Sequence, residues 1–338
     1  MDKRIGHAII GCGRIAQNHY NAAIINGFDV LCCCYKELDK AKTFAKNNNI
    51  KIYTDDYREI LNNEEIDSVS ICTDHISHTI IAEKLCYNKN LIIEKPLSAN
   101  YNIAKDFCDK FKDNPKEISV ISQHRFDDAM ILVKKIIDNN DLGKVTLVNA
   151  KLKCERKEDY YLDSYWRGKK EKEGGSTVIN QAYHIIDALT FLFGIPKEVK
   201  SFCENLKFKD IIETEDTCVS IFKYDNFIGT FSSTNTSNVD WETSIEIVGT
   251  KGSIIFNLDF PERIIEFNLN DSKYNDELQK IVDNYNLNKG KNINYYGLSH
   301  NRQFLNFKEA ILKHTSLKVD LKEAIKTQEF LDMIYNGE

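Results

Sequence analysis

Three short segments of this chain carry residue types suited to chemistry on an alcohol. Glu94-Lys95-Pro96 sets a lysine between a carboxylate and a helix-breaking proline, and Asn180 precedes His184 by four residues, the spacing that shares one face of a helix. Taking hydride from a secondary carbinol needs a base for the hydroxyl proton and a donor that holds the oxygen as it becomes a carbonyl. Histidine titrates near neutrality and suits the first task. Lysine suits the second, or becomes the base itself if its pKa is depressed, so the proton stays unassigned between Lys95 and His184. The third segment, Gly11-Cys12-Gly13-Arg14-Ile15-Ala16, points to a hydride carrier. Its first glycine makes a tight turn, its second lets backbone approach a pyrophosphate, and Ala16 lets the following helix pack closely on the strand with its N–H groups aimed at the anion.

These segments need a particular scaffold. Apolar runs at Gly6–Ile10, Val30–Cys34, Ser68–Cys72, Leu91–Glu94 and Ile118–Ile121 alternate with amphipathic stretches at Ile15–Ile25, Leu38–Asn47, Tyr57–Leu61, His78–Tyr87 and Ile103–Phe111. Continuous apolar strands separated by helices predict a parallel sheet covered on both faces, an α/β Rossmann domain over 1–122. The glycine segment then opens the first βα turn, and Lys95 stands at the carboxyl edge of the sheet, where such folds bind ligands. The residue that reads the adenosine ribose falls near Tyr35, followed by Lys36 and Glu37. An aspartate there would select NAD, and it is absent. Lys36 suits a 2′-phosphate and Glu37 the ribose hydroxyls, so NAD(H) and NADP(H) both remain open, with a lean to NAD.

From 123 to 338 the pattern changes to an α+β domain for substrate binding and oligomerisation. A helix at Met130–Ile137, a strand at Val145–Cys154, a polar aromatic loop at Tyr160–Gly174 and an apolar helix at Thr177–Phe193 lead into strands at Glu198–Cys203, Thr217–Tyr224, Phe227–Ser233, Thr243–Val248, Ser253–Asn257 and Ile264–Phe267. Their short connections predict one open, mainly antiparallel sheet. Asn268–Asn294 reads as a surface excursion, and helices at Asn301–Lys313 and Leu321–Tyr335 close the chain.

Composition narrows the function classes. The 338 residues suffice for two domains, and a net charge of −6 argues against nucleic acid or an anionic membrane as partner. No apolar run approaches a bilayer span. The first residues lead at once into a strand, leaving no room for a signal peptide. The ten cysteines show no C-x-x-C pair, which predicts a reduced, cytoplasmic protein without a cysteine-based metal site. His19, His75, His124 and His314 have no partner pattern and receive no role, and no His, Cys and carboxylate cluster in the sequence suggests a metal ligand set.

Taken in order, the glycine loop, Thr73 with His78, the Glu94-Lys95-Pro96 turn and the segment Asn180-Gln181-Ala182-Tyr183-His184-Ile185-Ile186-Asp187 resemble the glucose–fructose oxidoreductase / inositol dehydrogenase / MocA-type family along essentially the whole chain. That resemblance implies a sugar dehydrogenase or ketoreductase with Lys95 and His184 as catalytic residues. It implies a dinucleotide site of Gly11, Gly13, Arg14, Ile15, Ala16, Tyr35, Lys36, Thr73, His78, Glu94 and Lys95. It also implies a homodimer or homotetramer in which a second subunit covers the outer face of the C-terminal sheet.

Within the family, Tyr160-Tyr161, Tyr165-Trp166-Arg167-Gly168, Gly174-Gly175, Asn180-Gln181 and the stretch Gly297 to Gln303 are similar to the branch that oxidises the 3-hydroxyl of nucleotide-linked amino sugars or their uronic acids. This implies a substrate site of Lys95, Tyr165, Trp166, Arg167, Asn180, Gln181 and His184. The aromatic residues would stack on a sugar or uracil ring, Arg167 would grip a carboxylate or diphosphate, and the paired glycines would let backbone approach the ligand. Two positions depart from the wider family: Asn180 stands where an aspartate is frequent, and Asp74 where a proline is common. The same site also serves an NAD-dependent glycosidase working through transient C3 oxidation. A non-catalytic dinucleotide sensor is the third reading, disfavoured because Lys95 and His184 are both present.

Overall fold

The structure is a computed structural model that describes residues 4–259, 263–270, 272–288 and 298–337. It resolves into two compact units, one of residues 1–123 with 296–328, the other of 124–295 with 329–338. The chain passes from the first unit to the second at 123–124, and of the later residues 298–328 belong with the first unit.

The first unit holds six parallel strands, β1 (Gly6–Ile10), β2 (Asp29–Cys34), β3 (Ile52–Thr54), β4 (Ser68–Ile71), β5 (Asn90–Ile93) and β6 (Ile118–Val120), in the order β3-β2-β1-β4-β5-β6. This is the doubly wound arrangement, whose strand order reverses between β1 and β4. Strands β1, β4 and β5 are buried at every position, as a sheet covered on both faces requires, and their polar members His7, Ser68, Ser70 and Asn90 are buried with them. The sequence pattern missed β3, a three-residue edge strand with two of its side chains exposed. Apolar packing covers both faces: Leu85, Phe107 and Phe111 lie in one cluster, and Ala22, Phe28, Phe304 and Phe307 in another. The last two belong to the helix Leu298–Lys313. Helix starts are local. Asp74 caps His75–Leu85 through Ser77 N–H (3.2 Å), so that helix begins three residues before its expected start, and Asn100 caps Tyr101–Phe111.

The second unit is built on a seven-stranded sheet of β7 (Val145–Glu155), β8 (Glu198–Glu204), β9 (Thr217–Lys223), β10 (Ile228–Thr234), β11 (Thr236–Gly249), β12 (Gly252–Phe256) and β13 (Ile264–Leu269), ordered β13-β12-β11-β7-β10-β9-β8. The open, mainly antiparallel sheet is as expected, with one exception. Strand β7 inserts between β10 and β11, parallel to the first and antiparallel to the second. Successive strands β10 and β11 are thus separated in space, and the residue joining them, Asn235, is buried. Its amide donates to Tyr161 Oη at 2.9 Å and to Ser176 Oγ at 3.2 Å.

Helices Asp128–Asp138 and Tyr183–Phe193 contribute Leu132, Val133, Ile136, Ile185, Ile186 and Leu189 to the core, against Val148, Phe231, Ile245, Ile247 and Phe256 of the sheet. In β13 it is Ile264 that is buried, while Ile265 faces outward. The stretch read as a surface excursion contains a helix, Asn275–Asn288, anchored by Leu278. Among the described residues no helix is long and apolar enough to cross a membrane.

Candidate active site

In the first unit the expected cofactor residues gather along the carboxyl ends of β1, β2, β4 and β5. Gly11 has φ +97°, and a Cβ there would stand 2.4 Å from the Cys72 carbonyl oxygen, so only glycine fits the turn. Gly13 and Arg14 are exposed, Ile15 half-buried and Ala16 buried. A Cβ on Gly13 would meet nothing within 4 Å. The helix Ala16–Ile25 has no side-chain cap and no acidic residue in its first turn, which suits its N–H groups and dipole to a pyrophosphate. Beyond β2, the Tyr35 amide bonds to the Thr54 carbonyl at 3.1 Å, Lys36 is exposed, and Glu37 pairs with Lys40 at 2.9 Å.

His78 is fully buried, with Nδ1 2.7 Å from the Pro96 carbonyl and Nε2 3.2 Å from that of Thr73. Burial lowers its pKa against the pull of both carbonyls. The ring thereby ties the turn after β4 to the cis Lys95–Pro96 turn after β5. Lys95 is half-buried.

Glu94 turns inward. Its Oε1 lies 2.9 Å from His19 Nε2 and 3.6 Å from His300 Nε2, and its Oε2 accepts the Lys95 backbone N–H at 3.0 Å. Burial pushes this carboxyl up, but the histidine hydrogen bonds and charges outweigh it and hold it well below the usual range. From His19 a buried row continues through Ser70 Oγ (2.9 Å) to His7 Nε2 (2.8 Å), and from His7 Nδ1 to Ser68 Oγ (2.8 Å). Glu94 therefore anchors the backbone of Lys95 from beneath. The ligand atoms of His19, Glu94 and His300 lie within 4.8 Å of one another, a grouping that spacing in the sequence did not reveal.

Both histidines carried a signal nonetheless. His19 shares the buried face of Ala16, Ala22 and Ala23, and His300 stands four and seven residues before buried Phe304 and Phe307. A histidine within an apolar stripe needs buried polar partners.

In the second unit, Asn180 and His184 do not share one regular helix. Thr177–Gln181 forms a π-helical turn, and the α-helix begins at Tyr183, so the i, i+4 geometry does not apply. His184 is half-buried, and its ring packs edge-to-face on that of His124, with centroids 4.9 Å apart. Nδ1 of His124 in turn lies 2.7 Å from Asp127 Oδ2. Arg125 donates from Nε to both Asp187 oxygens at 3.1 Å and from Nη2 to Oδ1 at 2.8 Å. This buried fork fixes the Gln123–Phe126 turn to the His184 helix. His124 and Arg125 were not singled out in the sequence, because the His184 ring and the Asp187 carboxylate that they meet lie on the far side of the strand Val145–Glu155 in chain order.

The aromatic loop holds two short helices, Glu158–Leu162 and Lys170–Glu173. Tyr165 is exposed, while Trp166 and Arg167 are half-buried. The Arg167 guanidinium sits 4.2 Å from the Tyr160 ring centroid and 5.4 Å from that of Trp166, and Nη1 donates to the Tyr160 carbonyl at 3.2 Å. Tyr161 is buried and belongs to the loop's own core with Phe208 and Ile212. Gly175 approaches Tyr335 closely, since a Cβ there would stand 2.0 Å from its hydroxyl. Its small size thus serves internal packing. Both ends of the Gln181 amide are engaged, Oε1 by Arg156 Nη2 at 2.6 Å and Nε2 by Tyr160 Oη at 2.8 Å. Asn180 Nδ2 lies 2.5 Å from Oε1 of buried Glu173. Glu173 went unnoticed because Lys169-Lys170-Glu171-Lys172-Glu173 reads as solvated charge. Of the stretch 297–303, Gly297 lies outside the described residues.

Residues 5–122 match a family model described as oxidoreductase family, NAD-binding Rossmann fold, and residues 134–337 match its C-terminal alpha/beta domain. Among curated proteins, Oxidoreductase P35 of Formosa agariphila is 25% identical over 76% of this chain and 80% of its own length. The scyllo-inositol 2-dehydrogenase (NAD(+)) of Bacillus subtilis is 24% identical over 75% and 74%. Among solved structures, the WlbA dehydrogenase of Bordetella pertussis in complex with NADH and UDP-GlcNAcA superposes with a TM-score of 0.89 at 22% identity, covering 100% of this chain and 96% of that one. A levoglucosan dehydrogenase in complex with NADH and levoglucosan gives 0.84 at 21%, covering 99% and 97%. At these identities the structural likeness is one of fold.

Proposed function

This chain belongs to the glucose–fructose oxidoreductase / inositol dehydrogenase / MocA family of NAD-binding oxidoreductases, and from that membership we propose that it transfers hydride between nicotinamide and a secondary hydroxyl, C3, of a sugar or nucleotide-sugar. The observation that carries this reading is the edge at which Gly11, Lys95 and the Glu94 anchor meet: an anion cradle and a fixed lysine on one side of one sheet. Gly11, Gly13, Arg14, Ile15 and Ala16 would hold the pyrophosphate, and Tyr35 and Lys36 the adenosine ribose. Thr73, His78, Glu94 and Lys95 would shape the nicotinamide end. When bound, the nicotinamide supplies the hydride acceptor. Lys95 and His184 share the remaining work, one taking the hydroxyl proton and the other holding the oxygen. Nucleotide-sugar is preferred over free sugar because the aromatic loop combines ring faces with a guanidinium, and because the WlbA neighbour was solved with UDP-GlcNAcA.

Native mass spectrometry of the purified protein tests cofactor and assembly together. It should show retained NAD(H) on a species of two or four copies, the second copy covering the exposed Phe202, Val219, Ile221 and Ile228 of the C-terminal sheet. A monomer that retains NADP(H) would overturn both assignments.

Arg167 is the proposed anion handle, its planar fork presented from a bed of aromatic rings. Arg167→Ala should raise KM for a nucleotide-sugar by an amount corresponding to about 1–3 kcal/mol, with kcat little changed. An unchanged KM would leave Arg167 as a loop anchor alone.

A further inference from the structure

Glu173 is fully buried at the end of a charged surface run. Its Oε2 accepts the backbone N–H of Gly168, and its Oε1 lies 2.5 Å from Asn180 Nδ2. The peptide N–H can only donate, so Oε2 is an acceptor in every protonation state. With the carboxylate ionised, Oε1 is an acceptor too, and it must receive the NH2 end of the asparagine amide. The same Nδ2 lies 3.4 Å from Tyr160 Oη, on the protein side. Because the amide is planar, turning its NH2 inward aims Oδ1 the opposite way.

We propose that Glu173 is a positioning residue that fixes which end of the Asn180 amide a ligand meets, holding the acceptor Oδ1 outward to receive a substrate hydroxyl. This rests on the reading above that Asn180 faces the sugar.

The arrangement has an internal switch. Burial raises the Glu173 carboxyl to about 7, with Gly168 and Asn180 pulling it down, Glu215 pushing it up and Arg167 pulling it down. Tyr160 and Tyr161 face the same pocket from the helix Glu158–Leu162. Protonation falls on Oε1, since Oε2 is occupied as an acceptor. An O–H there donates and requires Asn180 Oδ1, so the amide turns over and offers NH2 to the ligand. Acceptor presentation is therefore complete above this pKa and is lost as pH falls through it. Glu173→Gln imposes the inverted state at every pH, because the glutamine oxygen stays on Gly168 N–H and its NH2 must point at Asn180.

Two measurements test this on the full chain. In protein labelled with 15N-asparagine, the side-chain amide signal missing from Asn180→Asp should titrate with a midpoint near 7 in the wild type and be pH-independent in Glu173→Gln. With NAD and UDP-GlcNAcA as probes, Glu173→Gln should raise KM about tenfold, the size of one hydrogen bond reversed. The double variant Glu173→Gln/Asn180→Asp should recover most of the loss, since an aspartate accepts from the glutamine and still presents an oxygen outward. A merely structural role for Glu173 would not be repaired by a change at 180. An amide signal identical in wild type and Glu173→Gln overturns the inference. So does failure of the double variant to recover while the wild type turns over UDP-GlcNAcA. Lack of any turnover of UDP-GlcNAcA by the wild type removes the substrate reading instead, and the amide titration still decides the orientation.

Discussion

Lys95→Ala and His184→Ala should each lower turnover by about two orders of magnitude or more, while dinucleotide affinity stays nearly intact. The expectation for Lys95 has a structural basis. Its backbone is held by Glu94 Oε2 and its turn by His78, so truncating the side chain beyond Cβ removes the ammonium without releasing the turn. His184 stands on the first turn of a helix whose fold is set by Arg125 and Asp187, and its loss leaves those contacts in place. The double variant should be little slower than the slower single one, as for groups that serve one chemical step. Near-normal turnover in either single variant, on a sugar the wild type oxidises, would show that residue to have no part in the chemistry.

The second large effect falls on stability. Arg125 and Asp187 are each about 2% exposed and share three hydrogen bonds, with the guanidinium also 5.5 Å from the centroid of the Phe191 ring. Arg125→Ala removes three hydrogen bonds and the paired charge from a buried carboxylate and should cost about 3–5 kcal/mol. Replacing both partners together, as Arg125→Met/Asp187→Leu, should cost less than either single change, because no charge is left uncompensated. Urea unfolding midpoints measure this directly. A loss below about 1 kcal/mol in Arg125→Ala would mean that water reaches Asp187 when its partner is removed.

What could be read in the sequence follows the range of the interactions involved. The glycine turn, the Glu94-Lys95-Pro96 edge and strands β1, β4 and β5 are specified by a few consecutive residues, and the pattern located them within a residue or two. Strand β3 escaped because three residues, two of them exposed, carry no apolar signature. The π-helical turn at Thr177–Gln181 escaped for a different reason: its apolar residues continue smoothly into the next helix, while the start of the turn is held by a residue remote in the chain, Glu215, whose Oε1 accepts from Ser176 and Val178 N–H. The insertion of β7 between β10 and β11 has no local cause either. The candidate site divides in the same way. Residues in motifs could be proposed from the sequence, whereas Glu173, His19, His124 and Arg125 become functional candidates only through partners remote in the chain or hidden within a charged run.

The buried row from Glu94 to Ser68 behaves as a single polarised object. His7 is held neutral, its pKa lowered to about 3 by burial and by His19, so it carries one N–H and must choose which ring nitrogen bears it. When His19 carries its only proton on Nε2, toward Glu94, Ser70 must donate to His19 Nδ1. His7 then donates from Nε2 to Ser70, and Ser68 donates to His7 Nδ1, so every hydrogen points toward the carboxylate. The opposite alignment uses the same atoms: His19 donates to Ser70, Ser70 donates to His7 Nε2, His7 in its other tautomer donates to Ser68, and Ser68 donates to the Gly6 carbonyl, 3.3 Å away. One set of heavy-atom positions thus accommodates two opposite dipoles across β4 and β1.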